Sequence, residues 1–342
     1  MNIFVTGAGG YIGGSVAAAL IKRGHKVRGL TRSAAGAEQL KSYGVDPVIG
    51  ELDDSPLLMR EASMADMVIN TANADHRGAV EALISGLNQS GKRLIHTSGT
   101  SIVGDDARGD FCSDVISSEE TSLVIDPRKQ ARRDIDLMVM DAAKKNVHSA
   151  VIIPSLIYGY GTGVNKHSIQ VPFLVKNAFE VGSVQIVGKG LNTWSNIHID
   201  DLVNLYLAVA EQAPPGAFYF AENGEAAFSD VAEAISRRFS IPHIEHLNAE
   251  EAVKRWGAAR ALFTFGSNSR VRSVRAKKEL DWRPVHVSVQ NWILTSYESR
   301  ILSSMPRRSN HDTGCWEREG TATVGRAAVS SELWLADIIF SD

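Results

Sequence analysis

Short apolar runs alternate with amphipathic stretches along the first half of the chain. The runs carry successive hydrophobic residues, as strands buried on both faces of a parallel sheet do, and the stretches between them repeat with the period of a helix. This alternation predicts βαβ units, hence an α/β fold with a doubly wound parallel sheet. The predicted strands are Asn2–Thr6, Lys26–Thr31, Val45–Ile49, Met67–Thr71, Arg93–Ser98 and Ser149–Pro154, and the predicted helices are Tyr11–Arg23, Ala37–Tyr43, Arg77–Gln89 and Arg128–Lys145.

The pattern loosens after Pro154, which marks the end of a predicted first domain over residues 1–154. A smaller mixed α/β lobe is predicted over residues 155–300, with some segments returning to the first domain and with helices at Asp201–Gln212, Asp230–Phe239 behind Ser229 as N-cap, and Ala249–Trp256. Residues 306–342 form a tail without periodicity. The polar, acidic stretch from Gly104 to Pro127 is predicted to be a solvated surface loop, with a lid as the alternative.

Composition narrows the class of protein. The chain has 342 residues, 44% of them hydrophobic, and a formal net charge of −3, so neither nucleic acid nor an anionic membrane is an expected partner. No apolar run is long enough to span a membrane. The two cysteines, Cys112 and Cys315, form neither a disulfide framework nor a zinc motif. We therefore expect a cytoplasmic protein.

A glycine-rich loop, Thr6 to Gly13, lies directly between the first predicted strand and the first predicted helix. Gly7 permits a tight turn, Gly10 allows a pyrophosphate to approach the backbone, and Gly13 allows the helix to pack closely on the strand. The start of the helix offers N–H groups to the phosphate. The loop predicts dinucleotide binding in a Rossmann-type fold; a purely structural turn is the alternative.

The glycines are spaced G-x-x-G-x-x-G, and other motifs follow in a recognisable order: His96-Thr97-Ser98-Gly99, Pro154 to Gly159, Asn196 to Asp201, and Ala276 to Pro284. Over residues 2 to 285 the chain resembles the short-chain dehydrogenase/reductase superfamily, in particular its extended and atypical branch, which includes the NAD-dependent epimerase/dehydratases. The resemblance implies a nicotinamide cofactor. It also implies that a small-molecule substrate binds in the smaller lobe.

The end of the second strand indicates which dinucleotide binds. An NAD site needs an acidic residue there, and the only acidic residue from Gly14 to Gly44 is Glu38, well past the strand. Arg32 and Ser33 stand there instead and can bind a 2′-phosphate. NADP is therefore preferred over NAD, with Arg32 as an ordinary surface residue as the alternative.

The resemblance implies further cofactor contacts, beginning with Glu51 to Asp53 near the adenine. The residues expected to bind the cofactor are Gly7, Gly10, Tyr11, Ile12, Gly13, Arg32, Ser33, Leu52, Thr71, Ala72, Asn73, Thr97, Pro154, Ser155 and Ile157.

The expected catalytic motif is incomplete. Members of the superfamily carry Tyr-x-x-x-Lys before the helix predicted at Arg128–Lys145; here Lys129 fits the lysine, but Ile125 stands in the tyrosine's place. The hydroxyl that polarises a carbonyl is expected near Gly99, which leaves Ser98 or Thr100 for that role. Alternatively these hydroxyls only satisfy backbone groups at the strand end. The candidate catalytic residues are Ser98, Thr100 and Lys129.

Other polar residues are predicted to be structural. Tyr158 is expected to pack, Asp200 and Asp201 beside His198 are expected to cap a helix rather than bind a metal, and His243 and His246 are expected to be solvated. No metal site is predicted.

Three functions remain open. The first is an NADP-dependent oxidoreductase acting on a small carbonyl or alcohol, as a monomer or a homodimer. The second is a non-catalytic NADP-binding sensor, since the tyrosine is missing. The third is a nucleotide-sugar epimerase or dehydratase.

Overall fold

A computed structural model describes residues 1–298. The strands are β1 Asn2–Thr6, β2 Lys26–Thr31, β3 Asp46–Ile49, β4 Met67–Asn70, β5 Arg93–Thr97, β6 Ser117–Ser118, β7 His148–Pro154, β8 Leu156–Tyr158, β9 Val184–Val187, β10 Thr193–His198, β11 Ala217–Ala221, β12 Glu225–Ala227, β13 Ile244–Leu247 and β14 Val271–Arg272. The helices are α1 Tyr11–Lys22, α2 Ala34–Ser42, α3 Ser55–Met64, α4 Arg77–Leu87, α5 Gln130–Asp141, α6 Gln170–Val181, α7 Ile199–Gln212, α8 Phe228–Phe239, α9 Ala249–Trp256, α10 Arg275–Glu279 and α11 Val289–Thr295. The tail predicted over residues 306–342 lies outside the described residues.

Seven parallel strands form the central sheet in the order β11-β7-β5-β4-β1-β2-β3. The strand order reverses beside β1, because the chain first builds outward through β2 and β3 and then returns to β4 on the other side. The carboxyl ends of β1 and β4 therefore open into a crevice at this switch point, where doubly wound folds bind ligands. The predicted α/β fold with a doubly wound Rossmann-type parallel sheet is confirmed.

Both faces of the sheet are covered. The strands other than edge strand β3 contribute alternate side chains to two hydrophobic clusters, one beneath α1 and α7 and the other beneath α3, α4 and α5. Every residue of β4 is buried, as expected for an interior strand of a parallel sheet.

A smaller group of elements packs beside the sheet. It contains the three-stranded sheet β12-β10-β8, the pair β13-β9, and a hydrophobic core of its own that includes Trp194, Trp256 and Trp292. Two elements from the second half of the chain belong to the central sheet instead: helix α7 packs on it, and strand β11 is one of its strands.

Three local predictions need correction. Helix α3 is absent from the prediction because its buried face includes the charged Glu61, which interrupts the apolar periodicity in the sequence. Helix α2 begins at Ala34, three residues early, because Ser33 caps it. Helix α8 begins at Phe228 behind Ala227, since the chain passes directly from β12 into the helix, and Ser229 falls in its first turn.

The acidic stretch over residues 104–127 is more than a solvated loop. Its Asp105 carboxylate accepts hydrogen bonds from the backbone and side chain of Asn268. Glu119 accepts hydrogen bonds from the backbone of Phe220 and Val274. Strand β6 also pairs with β14, so the stretch is fastened to later parts of the chain. In residues 1–298, no helix combines the length and apolarity needed to cross a membrane.

Candidate functional site

The glycine loop is packed as tightly as its spacing predicts. Gly7 has a φ of +72°, and a Cβ there would lie 2.8–2.9 Å from backbone atoms of Thr71 and Ala72. A Cβ on Gly13 would lie 2.2 Å from the carbonyl oxygen of Gly7 and 2.3 Å from Thr71 Oγ1. Glycine at both positions therefore brings the loop and α1 against the end of β4.

The start of α1 lacks a side-chain cap. Its N-cap is Gly10, which offers no side chain, whereas α2, α3 and α4 are capped by Ser33, Asp54 and His76. A Cβ on Gly10 would meet only one atom, Gly7 O, at 3.1 Å, and one on Gly9 would meet nothing within 4 Å. Open space beside the uncapped N–H groups of a helix is what a bound phosphate requires, so the loop fits a dinucleotide.

At the end of β2, Arg32 and Ser33 are exposed and directly precede α2. Ser33 Oγ accepts a hydrogen bond from Gly36 N at 3.1 Å, which leaves its hydroxyl proton able to donate. Glu38 is paired with Lys41. An anion at this position would thus face a guanidinium, a hydroxyl and the start of a helix.

Several residues expected at the cofactor use their side chains elsewhere. The Thr97 hydroxyl forms a 2.5 Å hydrogen bond with Tyr206, Ser155 donates to Ala221 O, and Tyr11 donates to the carbonyls of Tyr158 and Gly159. The hydroxyls of these residues are therefore already engaged within the protein.

The other predicted contacts line the ends of the strands. Thr71 donates to Thr6 O, and Asn73 Oδ1 accepts from Asp75 N. Leu52, Ala72 and Ile157 are half-buried, and Pro154 ends β7. Half-buried Ile12 follows Tyr11 in the first turn of α1. Direct contact of these residues with a cofactor stays a prediction.

Ser98 and Thr100 differ sharply in their surroundings. Ser98, 6% exposed at the end of β5, donates through Oγ to Asp136 Oδ2 at 3.1 Å. Thr100 is 1% exposed, and its hydroxyl has no hydrogen-bond partner among the described residues. The structure thus gives the Ser98 hydroxyl an ionisable partner and the Thr100 hydroxyl none within the described residues.

Lys129 lies against an aromatic ring. Its ammonium lies 4.6 Å from the centre of the Phe263 ring, and burial together with nearby Arg132 lowers its pKa. Ile125, in the place of the missing tyrosine, packs against the core beneath α5.

Arg132 is the basic residue that reaches the ends of β4 and β5. Only 2% of its side chain is exposed, and its guanidinium binds both carboxylate oxygens of Asp75 and donates to Ser101 Oγ at 3.2 Å. A forked pair of this kind joins the loop after β4 to α5. The sequence pattern assigns no role to Arg132 or Asp75, because Lys129 already fits the lysine of the family motif.

A chain of buried polar groups continues beneath Ser98. Thr6 donates to Asn70, and the Asn70 amide donates to His96 Nδ1 at 2.9 Å. Because Nδ1 accepts, the ring proton is on Nε2, which lies 4.0 Å from Asp136 Oδ1. Burial, followed by the charge of Arg132, lowers the pKa of His96 to about 3, so the ring is neutral.

Asp136 ends this chain. Burial raises the pKa of its carboxyl to about 7, against the lowering influence of Ser98, Arg133 and Arg132. Asp136 and Arg132 lie four residues apart and therefore on one face of α5. This spacing was the signal in the sequence that could have placed both residues at the site.

Another cluster lies at the start of α7. His198, Asp200 and His286 place ligand-type atoms within 4.8 Å of one another, and the two imidazoles are stacked 3.9 Å apart. His198, not an aspartate, is the N-cap, accepting from Asp200 N. The capping role predicted for Asp201 is wrong, because its carboxylate accepts from the backbone of Val285 and His286.

The remaining structural predictions concern exposed and packed rings. His243 and His246 are exposed, and His246 lies in β13 with its Nδ1 bonded to Gly188 O. Tyr158 is buried and contacts His198 edge-on.

Comparison with known proteins agrees with the geometry. The model of the NAD dependent epimerase/dehydratase family matches residues 3–219. The chain belongs to this family. This confirms the resemblance to the epimerase/dehydratase branch seen in the sequence.

Relatives of this family member include several redox enzymes. It is 33% identical over 327 residues to oxidase ucsJ of Acremonium sp, covering 83% of the chain and 93% of that protein. It is 26% identical over 246 residues to 2-alkyl-3-oxoalkanoate reductase of Stenotrophomonas maltophilia, covering 66% and 71%.

Among solved structures, dTDP-glucose 4,6-dehydratase of Bacillus anthracis in complex with NAD is similar, with a TM-score of 0.68 and 20% identity over 86% of the chain and 94% of that structure. This likeness shows the shared fold.

Proposed function

We propose that the protein is an NADP-dependent oxidoreductase that interconverts a small carbonyl compound and its alcohol. The observation that carries the proposal has two parts: α1 begins without a side-chain cap behind the glycine loop, and Arg32 and Ser33 directly follow β2. The first feature suits a pyrophosphate, and the second suits a 2′-phosphate rather than a free 2′-hydroxyl. When bound, the nicotinamide supplies the hydride chemistry.

Polar residues at the ends of β4 and β5 would serve the substrate oxygen. Ser98 can donate a hydrogen bond to a carbonyl, with Thr100 as the second candidate. Because its pKa is lowered, the Lys129 ammonium is a stronger acid than that of an exposed lysine and a better proton donor. Two relatives named as reductases of oxo compounds, one of them a ketoreductase of Stigmatella aurantiaca, favour a ketone as the substrate class.

The cofactor preference is tested by titrating NADPH and NADH against the full chain. We expect NADPH to bind at least about tenfold more tightly, because one charge-assisted pair to a phosphate contributes roughly 1.5–3 kcal/mol. Arg32→Asp should reverse the preference, whereas Lys254→Asp, the same charge change on distant α9, should leave it unchanged. Equal affinity of the parent for the two cofactors would refute the NADP assignment.

Turnover is tested by NADPH oxidation with aldehydes, simple ketones and 3-oxo esters. We expect slow but measurable reduction that falls in Ser98→Ala and in Lys129→Met. Tight NADPH binding without any turnover would favour the non-catalytic sensor, for which Ile125 in place of the tyrosine is the supporting observation.

A further inference from the structure

The missing tyrosine leaves the reaction without its usual proton donor, and several phenols are already engaged. The hydroxyls of Tyr11, Tyr206 and Tyr219 bond to the carbonyls after β8, to Thr97 and to Glu279. Besides Lys129, a group that holds a proton next to the hydroxyl serving the substrate oxygen is a second candidate source.

Ser98 is the hydroxyl that joins the end of β5 to a buried acid. It lies at the same edge of the sheet as the glycine loop, because β5, β4 and β1 are adjacent parallel strands. Its only hydrogen-bonded side-chain partner within residues 1–298 is Asp136, whose side chain is fully buried. When the carboxyl is protonated on Oδ2, the same 3.1 Å contact lets Asp136 donate to Ser98 Oγ, and the Ser98 proton can then be donated to another acceptor.

The surroundings of Asp136 favour the protonated carboxyl. Its Oδ1 has no hydrogen-bond partner in the described chain. Around it, His96 Nε2 is 4.0 Å from Oδ1 and Arg133 Nη1 is 3.9 Å from Oδ2, both too far for a strong bond. Arg132, also on α5, forms its salt bridge with Asp75 instead.

His96 adds no positive charge beside Asp136. Asn70 donates to His96 Nδ1, so the ring presents only an N–H toward Asp136 and does not become a cation at ordinary pH. Burial and an oxygen without a hydrogen-bond partner outweigh the opposing influence of Ser98, Arg133 and Arg132, so the carboxyl keeps its proton to near neutrality.

Resting on the proposed function, we infer that Asp136 is the proton reservoir of the reduction and acts through Ser98. The carbonyl carbon gains a hydride from the reduced cofactor, and the carbonyl oxygen takes the Ser98 hydroxyl proton. The serine oxygen regains a proton from the Asp136 carboxyl, which is left as a carboxylate. After the alcohol leaves, water returns a proton along the same path, so atoms and charges balance.

The first test reads the carboxyl itself and needs no substrate. Infrared spectra of the full chain are recorded from pH 5 to 9, and those of Asp136→Asn are subtracted. We expect the carbonyl stretch of a protonated carboxylic acid to titrate near pH 7 in the parent and to be absent in the variant. Asp134→Asn, on the same helix but exposed, should leave that band in place. A carboxyl ionised throughout this range would overturn the inference.

The second test follows turnover against pH with a 3-oxo ester that the parent reduces. We expect kcat of the parent to fall as pH rises through about 7, because the Asp136 carboxyl then loses the proton that it would supply. Asp136→Asn should lose at least about tenfold in kcat and also the pH dependence. Ser98→Ala should do the same, and Ser98→Thr, which keeps the hydroxyl, should recover part of the loss.

The two proposals fail differently. If the parent turns over and Asp136→Asn matches its rate and pH profile, the reservoir is refuted while the oxidoreductase stands. If the parent binds NADPH but reduces nothing in the panel, the oxidoreductase is refuted and the reservoir falls with it, even where the infrared band titrates.

Discussion

Two neighbouring ends of the same sheet are built in opposite ways. At the ends of β1 and β2, the glycine loop offers backbone N–H groups and open space, with α1 left uncapped. At the ends of β4 and β5, the groups are buried side chains bonded to one another, such as Ser98 with Asp136 and Arg132 with Asp75. Binding a phosphate needs donors that are already in place, whereas moving a proton needs a group that can change its charge.

The contrast extends to the space around each group. The glycine loop has no spare room for a Cβ at Gly7 or Gly13. At the β4–β5 end, Asp136 and Ser98 place a buried carboxyl and a hydroxyl in contact.

The sharpest way to break the comparison is to fill the glycine loop. In Gly10→Val we expect a folded protein with at least about a hundredfold weaker NADPH binding, since the new Cβ meets only Gly7 O at 3.1 Å but occupies the phosphate's space. In Gly13→Val we expect loss of the fold as well, because Cβ would lie 2.2 Å from Gly7 O. Thermal melts and cofactor titration separate the two, and retained binding in Gly10→Val would mean that the loop is only structural.

The second prediction concerns how the buried Asp136 changes the free energy of unfolding with pH. The pKa of Asp136 is about 7 in the folded chain and near 4 in the unfolded one, so the folded state binds more protons between these values and the free energy of unfolding falls as pH rises. Asp136→Asn lacks this loss.

We therefore expect the stability of Asp136→Asn relative to the parent to improve from pH 4 to pH 8, by up to roughly 4 kcal/mol. Denaturant unfolding at several pH values measures this difference. A difference that does not change with pH would show that Asp136 is ionised when folded.

The third prediction breaks the pair beside it. Asp75→Ala leaves Arg132 buried with Ser101 as its remaining hydrogen-bonded partner. Since Asp75 itself is partly exposed, we expect a loss of roughly 1–3 kcal/mol in the free energy of unfolding. Asp53→Ala, which removes an exposed partner of His76, is the matched control and should cost under about 0.5 kcal/mol. Equal effects in the two variants would contradict the buried pair.

The smallest expected effect distinguishes the two hydroxyls. Thr100→Val replaces a buried hydroxyl that has no hydrogen-bond partner in the described chain, so stability should stay within about 1 kcal/mol of the parent or rise slightly. Ser98→Ala, by contrast, should destabilise the protein because Asp136 Oδ2 loses its donor. A large loss in Thr100→Val would reveal a partner for that hydroxyl and restore it as a candidate for the substrate oxygen.

The parallel sheet, the glycine loop and the polar residues after β2 could be predicted from the sequence, because they depend on local spacing: apolar runs, three glycines and the residues that follow a strand. The sequence also showed that Ile125 breaks the tyrosine motif. Which polar groups meet at the ends of β4 and β5 could not be predicted, because it depends on how distant segments pack. Asp75, His96, Ser98, Arg132 and Asp136 come from three separate segments, and burial, which sets the protonation of His96 and Asp136, arises only when those segments pack together.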